Sequence, residues 1–144
     1  MRNFIASIFI SIVVVGCSAG MPKPNTTGPV RTLGGIFLMK PGAIKYGMTY
    51  SAAGYASPLY AKVEFENPET GSAPMVITLG ELDRSKDILA QSPQFSAIRN
   101  NTTYTVILYV YSDLQMTKLV DTHIDQVRFA VPPETLKQIG VRVL

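Results

Sequence analysis

Ile98-Arg99-Asn100-Asn101-Thr102-Thr103-Tyr104-Thr105-Val106-Ile107-Leu108-Tyr109-Val110-Tyr111-Ser112 is the most regular stretch of this 144-residue chain. From Tyr104 to Tyr111 it is β-branched or aromatic at nearly every position, the composition that fits a pleated, packed strand. Tyr104, Val106, Leu108 and Val110 fall on one face; Thr105, Ile107, Tyr109 and Tyr111 fall on the other. A strand apolar on both faces is central and covered on both sides, or it offers one face to a partner. Ile107, Tyr109 and Tyr111 are therefore the candidate partner-binding patch.

The flanking segments read as further strands. Leu59, Ala61, Val63 and Phe65 alternate with Tyr60, Lys62, Glu64 and Glu66, the period-2 signature of a half-buried strand. Asn67-Pro68-Glu69-Thr70-Gly71 ends that strand as a turn, and Pro74 to Leu79 is a short apolar run that reads as the next one. Val127, Phe129 and Val131 alternate with Gln126, Arg128 and Ala130. Pro132-Pro133-Glu134 is suited to open a short helix, which Gly140 closes, and Val141-Arg142-Val143 reads as a last strand. Leu82, Ile88 and Leu89 suggest one or two helical turns between Glu81 and Ala90. Gly34-Gly35 reads as a turn or bulge.

Ile98 to Val106 resembles the E–F corner of fibronectin type III and other Ig-like domains: a hydrophobe, turn residues, Thr, any residue, Tyr, any residue, Val. The resemblance implies that the Tyr104 hydroxyl bonds back to the chain a few residues upstream. Asn100-Asn101 stand where Pro-Gly is usual, no Trp marks the core, and there is no Cys pair. The expected architecture is an all-β, Ig-like antiparallel β-sandwich with a short C-terminal helix.

The amino terminus has a different character. Arg2 supplies a positive charge, and Phe4 to Val15 is apolar apart from Ser7 and Ser11. As a helix this stretch reaches about 18 Å, short of a hydrocarbon core of about 30 Å but long enough for the apolar region of a signal peptide. It ends in Val14-Val15-Gly16-Cys17, which resembles the lipobox of bacterial lipoprotein precursors. That resemblance implies cleavage after Gly16, a diacylglyceryl thioether on Cys17 and, in many Gram-negative bacteria, an N-acyl chain on the new amino terminus. No other cofactor is expected. Ser18, where this family carries Asp for inner-membrane retention, implies the periplasmic face of the outer membrane; in a single-membrane host the location becomes the outer face of the plasma membrane. Ser18 to Thr32, with Pro22, Pro24 and Pro29, reads as an extended tether. The expected organisation is a cleaved signal peptide over 1–16, lipidated Cys and tether over 17–32, and the sandwich over 33–144.

Composition narrows the function. One Cys leaves nothing to form an intrachain disulfide, and one Cys with one His falls short of a structural zinc site. The net charge of +3 is scattered, with no two basic residues adjacent, which is not a nucleic-acid footprint. His123 has no G-x-S-x-G elbow to serve, and no catalytic set is read. Asp121, His123 and Asp125 lie on one strand face about 6.8 Å apart in succession, a candidate divalent-ion site by residue type, with a polar strand entry as the plainer reading. Tyr46, Tyr50, Tyr55 and Tyr60 suit either a protein interface or half-buried sheet positions. The expected function is a lipid-anchored, non-enzymatic module that binds or assembles with another envelope protein, with small-ligand or ion binding as the alternative. Asn67 to Leu82 also resembles, over a short length, the sandwich lipoproteins of type VI secretion, which implies an accessory lipoprotein of a secretion system as a second alternative. Intact mass spectrometry of the native product is expected to show residues 1–16 removed and acyl mass on Cys17; a retained leader would overturn the anchor.

Overall fold

The computed structural model describes residues 28–144; the lipobox, Cys17 and most of the expected tether lie outside them. Nine strands and one helix follow in order: β1 (Arg31–Lys40), β2 (Ala43–Ser51), β3 (Tyr60–Phe65), β4 (Met75–Glu81), β5 (Ile88–Gln91), β6 (Ala97–Ile98), β7 (Thr102–Tyr111), β8 (Leu119–Phe129), α1 (Pro133–Ile139) and β9 (Arg142–Val143). A three-stranded sheet, β1-β2-β5, packs on a four-stranded one, β4-β3-β7-β8. Every pairing within these two sheets is antiparallel. The expected antiparallel sandwich with a short C-terminal helix is the fold observed.

The alternations place the core. Leu59, Ala61, Val63 and Phe65 are fully buried, as are Tyr104, Val106, Leu108 and Val110 opposite them. Val127 and Phe129 continue the layer on β8. Each large apolar side chain removed from water contributes about 1.5–3 kcal/mol. β1 begins at Arg31, and Val30 is already in the core. The folded unit thus includes residues that proline spacing alone assigns to the tether. A register shift between Thr32 and Gly34 puts a bulge at Leu33, just before the Gly-Gly pair, whose two residues pair regularly with Thr49 and Met48.

The corner before β7 has the expected hydrogen bonds. The Tyr104 hydroxyl donates to the Arg99 carbonyl at 3.0 Å and accepts from the Arg99 amide at 2.8 Å. The two asparagines explain the departure from Pro-Gly. Asn101 adopts a left-handed conformation (φ 53°), which asparagine tolerates well. The Asn100 side chain pairs with Val131 as a strand would, donating to its carbonyl at 2.8 Å and accepting from its amide at 3.0 Å. Arg99 completes the corner, donating to the Glu66 carboxylate at 2.8 Å and the Pro68 carbonyl at 2.9 Å while lying over the Tyr104 ring.

One expectation is corrected. Glu81 to Ala90 forms no helix: it contains the end of β4, a turn and the start of β5. Leu82 enters the core while its amide bonds the Leu59 carbonyl at 2.8 Å, and the Asp83 carboxylate accepts the Ser85 amide at 3.0 Å, turning the chain. Ile88 then pairs with Tyr50, and Ala90 with Met48. Gly47 permits this pairing, since a Cβ there would collide with the Ala90 carbonyl. Tyr46 and Tyr50 are likewise core residues at 1% exposure, not interface residues. At the carboxyl end α1 starts with Pro133 in its first turn and buries Leu136, and Gly140 caps it through amide bonds to Leu136 and Lys137. β9 then pairs in parallel with β6. Tyr104→Phe leaves the Arg99 amide without its acceptor and is expected to cost about 1–3 kcal/mol. Urea unfolding should show a lowered midpoint with an unchanged slope.

Candidate functional site

The first candidate is the outward face of the four-stranded sheet. Register across it brings Val76, Glu64, Ile107 and Ile124 into one row. The next row is Thr78, Lys62, Tyr109 and Thr122; a third joins Glu81, Tyr60, Tyr111 and Leu119. Ile124 is 67% exposed and Val76 54%. Ile107 and Tyr109 between them are half-buried. The Lys62 ammonium lies 5.6 Å from the Tyr109 ring centroid and 5.5 Å from that of Tyr111, within cation–π range. Partial burial, and after it the Glu64 carboxylate, raise the Tyr109 hydroxyl above its ordinary pKa.

The three candidate contact residues thus share one face but not one environment. Ile107 and Tyr109 border open surface, whereas Tyr111 is covered beneath Lys62 and beside the shift in pairing that follows Val110. Ile124 and Val76 belong to the face and were not among the residues singled out from sequence. Alternation run backwards from the outward Gln126 reaches Ile124, so one of them had a local signal. Val76 had none, because its place beside Glu64 follows from cross-strand register.

The second candidate lies between the sheets. Asp121, His123 and Asp125 all point inward from β8, as their spacing requires, and meet Thr32 of β1. His123 is fully buried; its Nε2 is 2.7 Å from Asp121 Oδ2 and its Nδ1 is 3.3 Å from Thr32 Oγ1. Thr32 donates its hydroxyl hydrogen to Asp125 Oδ2 at 2.9 Å. The imidazole is thus flanked by the Asp121 carboxylate at Nε2 and the Thr32 hydroxyl at Nδ1, with Asp125 joined to it through Thr32. The Tyr50 ring packs edge-on against the imidazole at 6.3 Å. Its buried hydroxyl has no hydrogen-bond partner among the described residues. Burial first, and then the Asp125 carboxylate, push that hydroxyl far above the ordinary range.

Spent on one another and on Thr32, these polar groups act as a bridge between β1 and β8. Among the described residues, no group of three or more His, Cys, Asp or Glu side chains is arranged to hold a metal ion. Asp125 reaches His123 through Thr32 instead of sharing a point with it. Thr32 carried no signal in the sequence, because it lies ninety-one residues from its histidine partner.

Compared with family models, curated proteins and solved structures, the chain finds no match, so its function is read from its own geometry. Thr32→Val removes both the donor to Asp125 and the acceptor facing His123 while keeping the side chain's shape. The expected loss is about 1.5–3 kcal/mol, the range for hydrogen bonds to charged groups. Thermal unfolding of the variant measures it, and an unchanged midpoint would remove the bridge from the account of stability.

Proposed function

We propose that this protein is a lipid-anchored lipoprotein of the cell envelope, held at the periplasmic face of the outer membrane through acyl chains on Cys17, and that it binds or assembles with another envelope protein. The observation that carries the binding role is the row Val76-Glu64-Ile107-Ile124, three aliphatic side chains interrupted by one carboxylate, with a tyrosine beside it on an outer sheet face. Water on those three side chains is costly, and covering each large aliphatic side chain recovers up to about 1.5–3 kcal/mol. Tyr109 adds an amphipathic group of the kind enriched at interfaces. Glu64 within the row and Lys62 in the next one supply opposite charges, which favours one docking orientation over others.

The anchor is supported by the lipobox match and by the lone cysteine that it accounts for. Accessory service in a secretion system is one form that such assembly takes. Ion binding has weaker support, since Asp121, His123 and Asp125 already satisfy one another and Thr32.

Ile124→Asp tests the face at a position too exposed to support the core, so stability should change by no more than about 0.5 kcal/mol. With Tyr109→Ser as a second variant, recovery of the partner crosslinked to the native protein in cells is expected to fall at least fivefold. Unchanged recovery with both variants would exclude this face.

A further inference from the structure

We propose that the hairpin tip between β7 and β8 is a second membrane contact, seating Leu114, Leu119 and Val120 in the interfacial zone of the leaflet that holds the acyl chains. This inference rests on the reading of Cys17 as the lipid-bearing residue. It begins with where the chain enters the sandwich. Gly28 lies against the Asp121 carboxylate, two residues beyond Leu119, and Arg31 pairs with Ser51 at the far end of β2. The first described residues therefore sit at the same end of the domain as the loop 112–118. The turn between β1 and β2, at Pro41-Gly42, is at the opposite end, a strand length away: ten residues, or about 33 Å.

From Cys17 to Gly28 the chain spans at most about 40 Å even when fully extended. A lipid on Cys17 thus keeps the entry end of the sandwich close to the bilayer and gives the tip beside it a high effective concentration at that surface. Among the exposed polar residues of the loop, Leu114 projects, and Leu119 and Val120 follow at the start of β8. Leu114 is 65% exposed, Leu119 54% and Val120 44%. Exposed aliphatic side chains at this end of the domain suit the non-directional hydrocarbon of a lipid surface.

The loop is also held in shape. The Asp113 carboxylate accepts from the Thr117 amide at 3.0 Å, the Thr117 hydroxyl at 2.7 Å and the Lys118 amide at 2.7 Å. The Ser112 amide bonds the Lys118 carbonyl at 3.0 Å and closes the base. Asp113 is thus turned into its own loop, and Leu114 is left outward. Lys118 flanks the tip with a long stem that reaches back toward headgroups when the leucines are inserted.

The test uses the full chain, purified with its native amino terminus and reconstituted into phosphatidylethanolamine–phosphatidylglycerol vesicles carrying nitroxide-labelled lipid. A bimane fluorophore is attached at Leu114→Cys in one sample and at Lys40→Cys, near the far turn, in another; intact mass reports the acyl groups on Cys17. The expected result is acylated protein with bimane emission at position 114 shifted to the blue and quenched at least twofold by the nitroxide lipid, and with no quenching at position 40. Acylated protein with no quenching at position 114 overturns the membrane contact and leaves the anchor standing. A blue shift without quenching does the same, assigning the tip to a second protein copy. Absence of acyl mass on Cys17 overturns the anchor and this inference together.

Discussion

The hydroxyl of Tyr104, held between the amide and carbonyl of Arg99, sets where β7 begins, and β7 sets the rest. It is the one strand of the four-stranded sheet that carries ladders to both β3 and β8 along most of its length. Strand pairing has a period of two, so a slip of one residue would turn Val106, Leu108 and Val110 out to solvent and drive Thr105, Ile107 and Tyr109 into the core. The corner therefore fixes two surfaces at once: the layer that meets the second sheet, and the outward face with its aliphatic row. Glu66 ties the same corner to β3, accepting from Arg99 and from the Thr105 amide at 2.9 Å, while Tyr46 of β2 donates to the Glu66 carbonyl. Both sheets are referenced to one point.

This dependence explains which parts were legible in the sequence. β3, β7 and the end of β8 carry clean alternation because one face of each is buried, and a buried face must repeat every second residue. The corner was legible because its hydrogen bonds need a tyrosine at a set distance from a turn. α1 was legible from its prolines and its closing glycine. β5 was not. Its four residues are too few to display a period, and Leu82, Ile88 and Leu89 are spaced as a helix face would be, although Leu82 lies just past the end of β4 and the other two lie in β5. What determines β5 is long-range: the room that Gly47 leaves for the Ala90 carbonyl on the neighbouring strand.

The tyrosines show a second limit. Tyr46 and Tyr50 are buried alike, yet one hydroxyl finds the Glu66 carbonyl and the other finds no partner among the described residues. A tyrosine's hydrophobic body and polar tip are the same in both settings, so composition cannot separate core from interface. Tertiary placement of an acceptor does. The outward face has the same limit: its members come from four strands, and alternation marks those on β3 and β7, with Ile124 reached from Gln126, but not which of them stand side by side.

The internal polar cluster is better explained as a device for specificity than for stability. Paired buried charges often contribute no more than well-packed apolar residues would, whereas removing one partner is strongly destabilising because the other is left exposed to a low-dielectric interior. β1 and β8 pack across the sandwich without a shared ladder, so backbone bonds alone do not hold them in one alignment. Thr32 reaches Asp125 and His123 only when β1 takes the register that its bulge imposes. A slip toward either end would leave His123 Nδ1 and the Asp125 carboxylate without Thr32, while the pairing of Nε2 with Asp121 stays within β8. Thr32 also lies four residues after Gly28, where the described chain enters the fold, so tension on an amino terminus anchored as proposed would reach β1 first. The bridge to β8 and the ladder to β2 then resist it together, and the strand that bears the load is the one whose misplacement the cluster penalises most.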